Sequence, residues 1–193
     1  MIRAIFFDFY GVWTPDKFAQ LMTQAEQQGT ESAVSMYKTL DEYFSGRGDL
    51  NMLVNSLKFN HNMVNISSSD FELREENISM ALIDFFRGLH SHFVKIGVFA
   101  NLGTQELEIL KSINAKYSLF EVITGPITIG EQLLTKKAFV QALTLIGEPP
   151  ESTLVISSNP EYLKLAQSFG IHVLPFQGFP NLMQSLVPLL TSA

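Results

Sequence analysis

Asp8 sits inside the apolar run Ile5-Phe6-Phe7-Asp8-Phe9-Tyr10-Gly11-Val12. A carboxylate in such a run loses its hydration at high cost unless partners compensate, and a turn just beyond it could present the side chain as a nucleophile. The plainer reading is a carboxylate that caps nearby backbone amides. Polar residues also follow later apolar runs directly: Asn101 after Val98-Phe99-Ala100, and Ser157, Ser158 and Asn159 after Leu154-Val155-Ile156. In open parallel α/β sheets ligands bind beyond the carboxyl ends of the strands, which makes such positions the natural candidates for a site, with Asp8 first among them.

The elements that would hold these residues follow from periodicity. Arg3–Phe9 is apolar on both alternate faces, as a strand buried between two helical layers should be. Thr14-Pro15 predicts an N-cap with proline at the first helical position, followed by helical spacing through Phe18, Leu21, Met22 and Ala25 to a stop near Gly29. Helical patterns continue to Gly46, from Leu50 to Phe59, around Phe71 and from Ile78 to Leu89, with a polar loop over Asn60–Ser69. From Val94 onward the pattern changes. Strand-like runs at Val94–Phe99, Phe120–Thr124, Thr153–Ser157 and Ile171–Leu174 alternate with helical ones at Gln105–Ile113, Lys136–Ile146, Pro160–Phe169 and Asn181–Leu190. The expected fold class is therefore α/β: a Rossmann-like three-layer core around a five-stranded parallel sheet, with an α-helical cap inserted after the first strand. The expected division places 1–15 and 90–193 in the core and 16–89 in the cap.

Composition bounds the function. The chain has 193 residues, 46% of them hydrophobic, and a formal charge of −6 with no visible basic patch, which argues against nucleic acid as a partner. It has no cysteine, so disulfides, thiolate metal sites and cysteine nucleophiles are excluded, and a reducing cytoplasmic setting is the expectation. No run approaches the roughly 18 apolar residues of a membrane-spanning helix, and Asp8 interrupts the first apolar run too early for a signal peptide. Oligomeric state is left open.

The strand ending in Asp8-Phe9-Tyr10-Gly11-Val12, with a helical insertion and four further βα units, resembles the haloacid dehalogenase-like superfamily over nearly the whole chain. The resemblance implies a nucleophilic role for Asp8. Where many members carry a second aspartate this chain has Tyr10, which is similar to the L-2-haloacid dehalogenase branch, whose leaving halide needs no proton. Ser157-Ser158-Asn159 is similar to the same branch, which works without metal; phosphatases of the superfamily instead carry acids there to hold Mg²⁺. Three helpers of the family depart from its pattern. Ala100 stands where a Ser or Thr hydroxyl belongs, leaving the Asn101 amide as an anion donor or a turn former. Leu133 falls near the family lysine, for which Lys136 or Lys137 would substitute. Tyr162 replaces the acid that helps hydrolyse the covalent ester.

Within the insertion, Arg47 could meet a substrate carboxylate across the cleft, although a solvated role is the commoner one. Arg47-Gly48-Asp49 and the sequons at Asn65 and Asn77 are read as chance matches. His61, His90, His92 and His172 lack metal-site spacing, so no metal residues are expected and Mg²⁺ is disfavoured. Trp13 is read first as packing and second as the wall of a small apolar pocket. Three functions remain: a metal-independent hydrolase acting on a small molecule through Asp8 with weak or no turnover, a non-catalytic binding or regulatory protein on the same fold, and an atypical Mg²⁺-dependent phosphatase.

Overall fold

The computed structural model describes residues 1–74, 80–130 and 135–191. Five parallel strands form one sheet: β1 (Ala4–Asp8), β2 (Lys95–Phe99), β3 (Val122–Thr124), β4 (Thr153–Ser157) and β5 (His172–Pro175), in the order β3-β2-β1-β4-β5. The expected α/β class is the observed one. β1 is central, with Asp8 opposite Phe99 of β2 and Phe7 opposite Ile156 of β4.

Alternation along β1 explains the two buried faces. Ile5 and Phe7 join one apolar cluster with α4 (Met80–Ser91), α5 (Thr104–Tyr117) and α9 (Phe179–Thr191), while Ala4 and Phe6 join a second with α7 (Lys136–Ile146) and α8 (Pro160–Gln167). Asp8 continues the second set in register. The short helix α6 (Pro126–Ile129), which periodicity does not anticipate, follows β3.

Among the described residues three α-helices lie between β1 and α4: α1 (Lys17–Gln28), α2 (Thr30–Phe44) and α3 (Leu50–His61). They have an apolar cluster of their own, with Phe18, Leu21, Met36, Leu40, Tyr43, Leu53 and Leu57 at its centre. Two details differ from the sequence expectation. The start of α1 is capped by Asp16, whose Oδ1 accepts from the Ala19 N–H at 2.8 Å, and not by Thr14. Both residue types cap well, and the side chain three residues before a free N–H takes the position. The second difference is α4, assigned by periodicity to the insertion. Its Leu82, Ile83, Phe86 and Leu89 pack on the sheet, where Phe86 meets Phe7 edge-on at 4.7 Å and stacks on Trp13 at 4.4 Å. An amphipathic stripe shows that a helix has a buried face but does not name what covers it.

Candidate active site

Three loops converge at the carboxyl edge of the sheet, after β1, β2 and β4. Asp8 ends β1, and Ser157, the last residue of β4, donates its Oγ–H to Asp8 Oδ2 at 2.6 Å. The Asn159 backbone N–H in turn donates to Ser157 Oγ at 3.0 Å, which orients the hydroxyl toward the carboxylate. The Asn159 side chain faces the other way and accepts from the N–H groups of Glu161 and Tyr162, capping α8. Gly11 closes the β1 loop at φ +84°, and a Cβ there would fall 2.0 Å from Ser158 Oγ, so glycine is required both for its backbone angle and for the meeting of two strand ends.

Asp8 keeps an edge toward solvent, yet its carboxyl is packed deeply enough that lost hydration dominates: burial pushes its pKa from the ordinary 3.8 up to about 7. The Ser157 hydrogen bond pulls down, the charge of Asp16 pushes up, and the Phe9 backbone N–H pulls down. The Tyr162 hydroxyl is buried without a hydrogen-bond partner and feels the charge of Asp8, so a phenol stands near the carboxylate where the resemblance would put an acid. Its ring packs on Phe99 and Phe139.

Other predicted residues are placed elsewhere. Lys136 lies over the Phe169 ring at 5.5 Å, and Lys137 is exposed on the first turn of α7; neither is among the groups that act on Asp8. Leu133 lies outside the described residues, as does the sequon at Asn77. Arg47 is engaged with Asp41 at 2.6 Å on the exposed side of the helical layer, and Asp49 caps α3 by accepting from the Met52 N–H. Asn101 follows β2 half-buried, beside Ala100, whose N–H is bonded to the Thr124 carbonyl. Tyr10 is brought to the seam between the sheet and the helical layer, with its ring against Phe9 and Phe18.

Periodicity missed the residues behind Tyr10. Glu106, in the first turn of α5, is 1% exposed, and neither of its carboxyl oxygens has a hydrogen-bond partner. Burial pushes its pKa up, as it does those of Tyr10 and Tyr43, and both phenols feel its charge. Tyr43 and Glu106 face one another without reaching good hydrogen-bond geometry. An acid at the third position of a helix ordinarily interacts with the helix start and faces water, so the sequence holds no signal that this one is buried.

A cavity of about 400 Å³ lies against Tyr10, walled by Trp13, Pro15, Phe18, Phe71 and Leu73 and rimmed by Lys17, Asp70, Glu72 and Arg74; neither Asp8 nor Ser157 is among its lining residues. Trp13 thus serves both as packing and as a pocket wall.

With this geometry the chain can be set against known proteins. Its structure superposes over its whole length on a predicted HAD-like family hydrolase from Porphyromonas gingivalis, also covered in full, with a TM-score of 0.68 at 18% identity. It matches L-2-haloacid dehalogenase from Xanthobacter autotrophicus with chloropropionic acid covalently bound, covering 97% of this chain and 83% of that one, with a TM-score of 0.58 at 14% identity. The chain has the fold of the HAD-like hydrolases. A HAD family enzyme from Bacteroides thetaiotaomicron in complex with magnesium and inorganic phosphate shares that fold at a TM-score of 0.60 and 13% identity, over 91% of this chain and 94% of that one. No protein-family model and no curated protein sequence matches the chain. No helix among the described residues is long and apolar enough to cross a membrane.

The Ser157 contact yields a direct test of the electrostatics. Ser157→Ala removes a hydrogen bond that lowers the Asp8 pKa, so the carboxyl should titrate above its present value of about 7. Carboxyl-labelled NMR of the two proteins reads the difference, and an unchanged or lower value would contradict the assignment.

Proposed function

We propose that this chain is a HAD-like hydrolase that works without metal on a small molecule: Asp8 forms an ester with an electrophilic centre, and water releases it slowly. The observation that carries this reading is Asp8 itself, at the carboxyl end of the central strand, hydrogen-bonded by Ser157. The helical layer then serves as a cap over the site, with the core running from 1 to about 15 and resuming at α4. Tyr10, Ser157 and the Asn159 backbone shape the site. The slow step is ester hydrolysis, since a phenol, Tyr162, replaces an acid near Asp8 and no lysine among the described residues acts on the carboxylate.

The donor set does not fit Mg²⁺. That ion takes six oxygen ligands, with carboxylates as its anionic anchors. Here Ser157 is committed to Asp8, the Asn159 amide oxygen to α8, and one Asp16 oxygen to α1. Among the described residues no group of three His, Asp or Glu side chains is gathered to hold a metal. A second reading, a binding protein on the same fold, is favoured by the absence, among the described residues, of a cation acting on Asp8.

Incubation with small halogenated acids and amides in heavy-oxygen water separates the two. Ester hydrolysis at the Asp8 carbonyl leaves the label in the peptide that contains Asp8, and Asp8→Asn abolishes both labelling and halide release. Equal halide release by both proteins, or an unlabelled peptide after turnover, defeats the hydrolase reading.

A further inference from the structure

We infer that the helical layer closes on the core at a seam operated by one proton: it stays down while Glu106 is protonated and lifts from the start of α5 when that proton leaves. Movement of this layer needs no chemistry at Asp8.

The seam is an interface with polar groups shut inside it. Tyr43 belongs to the apolar cluster of the helical layer, Leu107 and Leu110 of α5 belong to the cluster on the sheet, and Tyr10 packs against both. At that boundary the Tyr10 hydroxyl, the Tyr43 hydroxyl and both carboxyl oxygens of Glu106 are buried with no hydrogen-bond partner among the described residues. The two sides are pressed close. Phe18 of the layer lies 5.0 Å from the Tyr10 ring and 6.2 Å from that of Tyr43, and a Cβ on Gly103, which caps α5, would fall 2.6 Å from the Tyr43 hydroxyl oxygen.

Buried polar atoms without partners favour any movement that lets water reach them. Burial keeps both phenols neutral, so the carboxyl is the group that can become an ion. An ionised carboxylate shut in without a partner costs far more than a neutral one; the closed seam therefore holds the proton and the open, hydrated seam releases it. In the closed form burial pushes the Glu106 pKa up, the Tyr43 hydroxyl and the Glu106 N–H pull it down from less than good hydrogen-bond geometry, and the charge of Glu72 pushes it up.

Cations on the surrounding elements are engaged elsewhere: Lys17 with the Asp70 carbonyl, Arg47 with Asp41 at 2.6 Å, Arg74 with Glu72 at 2.8 Å and Lys111, on α5 itself, with Glu108 at 2.8 Å, while Lys38 of α2 is exposed. Asp16 acts on Tyr10 and Asp49 on Tyr43, which adds negative charge around the seam. The constant for opening should accordingly climb about tenfold per pH unit from the ordinary carboxyl value to the raised one, and level off above it.

Acrylamide quenching of Trp13, the one tryptophan, tests this in the intact chain. Trp13 packs in the core cluster and lines a cavity whose other wall, Phe18 and Phe71, belongs to the layer, so lifting the layer uncovers it. Between pH 5 and 9 quenching should rise while the far-UV circular dichroism stays constant. Asp8→Asn should keep the rise, since it removes only the separate titration near 7. Glu106→Gln, neutral at every pH and nearly isosteric, should stay at the low-pH level throughout. Tyr43→Phe removes an unpartnered hydroxyl and a group that favours the ion, so it should displace the rise to higher pH, and this displacement decides the matter if Glu106→Gln does not fold. Quenching that ignores pH, a rise that survives in Glu106→Gln or vanishes in Asp8→Asn, a curve that Tyr43→Phe leaves in place or moves to lower pH, or a rise accompanied by loss of helix overturns the inference.

Discussion

Asp8→Asn should stabilise the protein at pH 8 by about 2–4 kcal/mol while leaving its stability at pH 4 almost unchanged. The carboxyl ionises near its ordinary 3.8 in the unfolded chain and near 7 in the folded one. Below 3.8 both states hold the proton and burial carries no ionic cost. Between the two values the folded state keeps a proton that the unfolded state has released, so stability falls as pH rises, and above about 7 the full loss remains. Asn is neutral at every pH and nearly isosteric, and its amide oxygen accepts the Ser157 hydroxyl as the carboxylate does. The difference between variant and parent should therefore grow from pH 4 to 7 and then level off. For a chain of this size it should appear at pH 8 as a rise of about 5–15 °C in melting temperature. Urea unfolding of both proteins at pH 4, 6 and 8 decides it; a constant difference would mean that Asp8 is not buried at that cost. A gain in stability on loss of the candidate nucleophile is what a strained functional group produces, whereas a carboxylate kept only to cap backbone amides would cost stability on removal.

Much of this site is legible along the chain because it is a violation of pattern. A carboxylate within Ile5–Val12 stands out against its neighbours, and the polar residues after Ile156 fall where a parallel strand must end, so Asp8 and Ser157 meeting at one strand edge follows from the fold. Residues that obey local rules are silent. Asp41 beside Arg47 and Glu106 at a helix start are ordinary in sequence; only packing shows that the first takes the arginine away from any substrate and that the second is buried without a partner. Lys136 and Lys137 are candidates in sequence because they open α7, but a helix start gives no distance to a strand far away along the chain, and the Phe169 ring takes the first of them. The same limit misassigns α4, whose stripe fits a sheet or a cap equally well.

Gly103→Ala should cost about 2–3 kcal/mol, and the cost should nearly vanish in a Tyr43→Leu background. Gly103 caps α5 at φ −68° and ψ 171°, an extended conformation that alanine adopts freely, so no backbone strain enters. The contact is the whole effect. A Cβ at this position would lie 2.4 Å from the Tyr43 ring and 2.6 Å from its hydroxyl oxygen. Tyr43 has little room to retreat, since it is 2% exposed and its ring packs against Phe44 at 5.4 Å and Phe18 at 6.2 Å. The added methyl must therefore push the helical layer away from the loop after β2, loosening the seam that closes over Tyr10 and Glu106. A leucine side chain in place of Tyr43 would lack the far end of the ring and leave room for the methyl. Urea unfolding of the two single variants and the double variant measures the coupling, and acrylamide quenching of Trp13 reports the opening, which should increase in Gly103→Ala alone. Equal cost of Gly103→Ala in both backgrounds would show that the ring is not what holds glycine there, and the helical layer would then be joined to the core by other contacts.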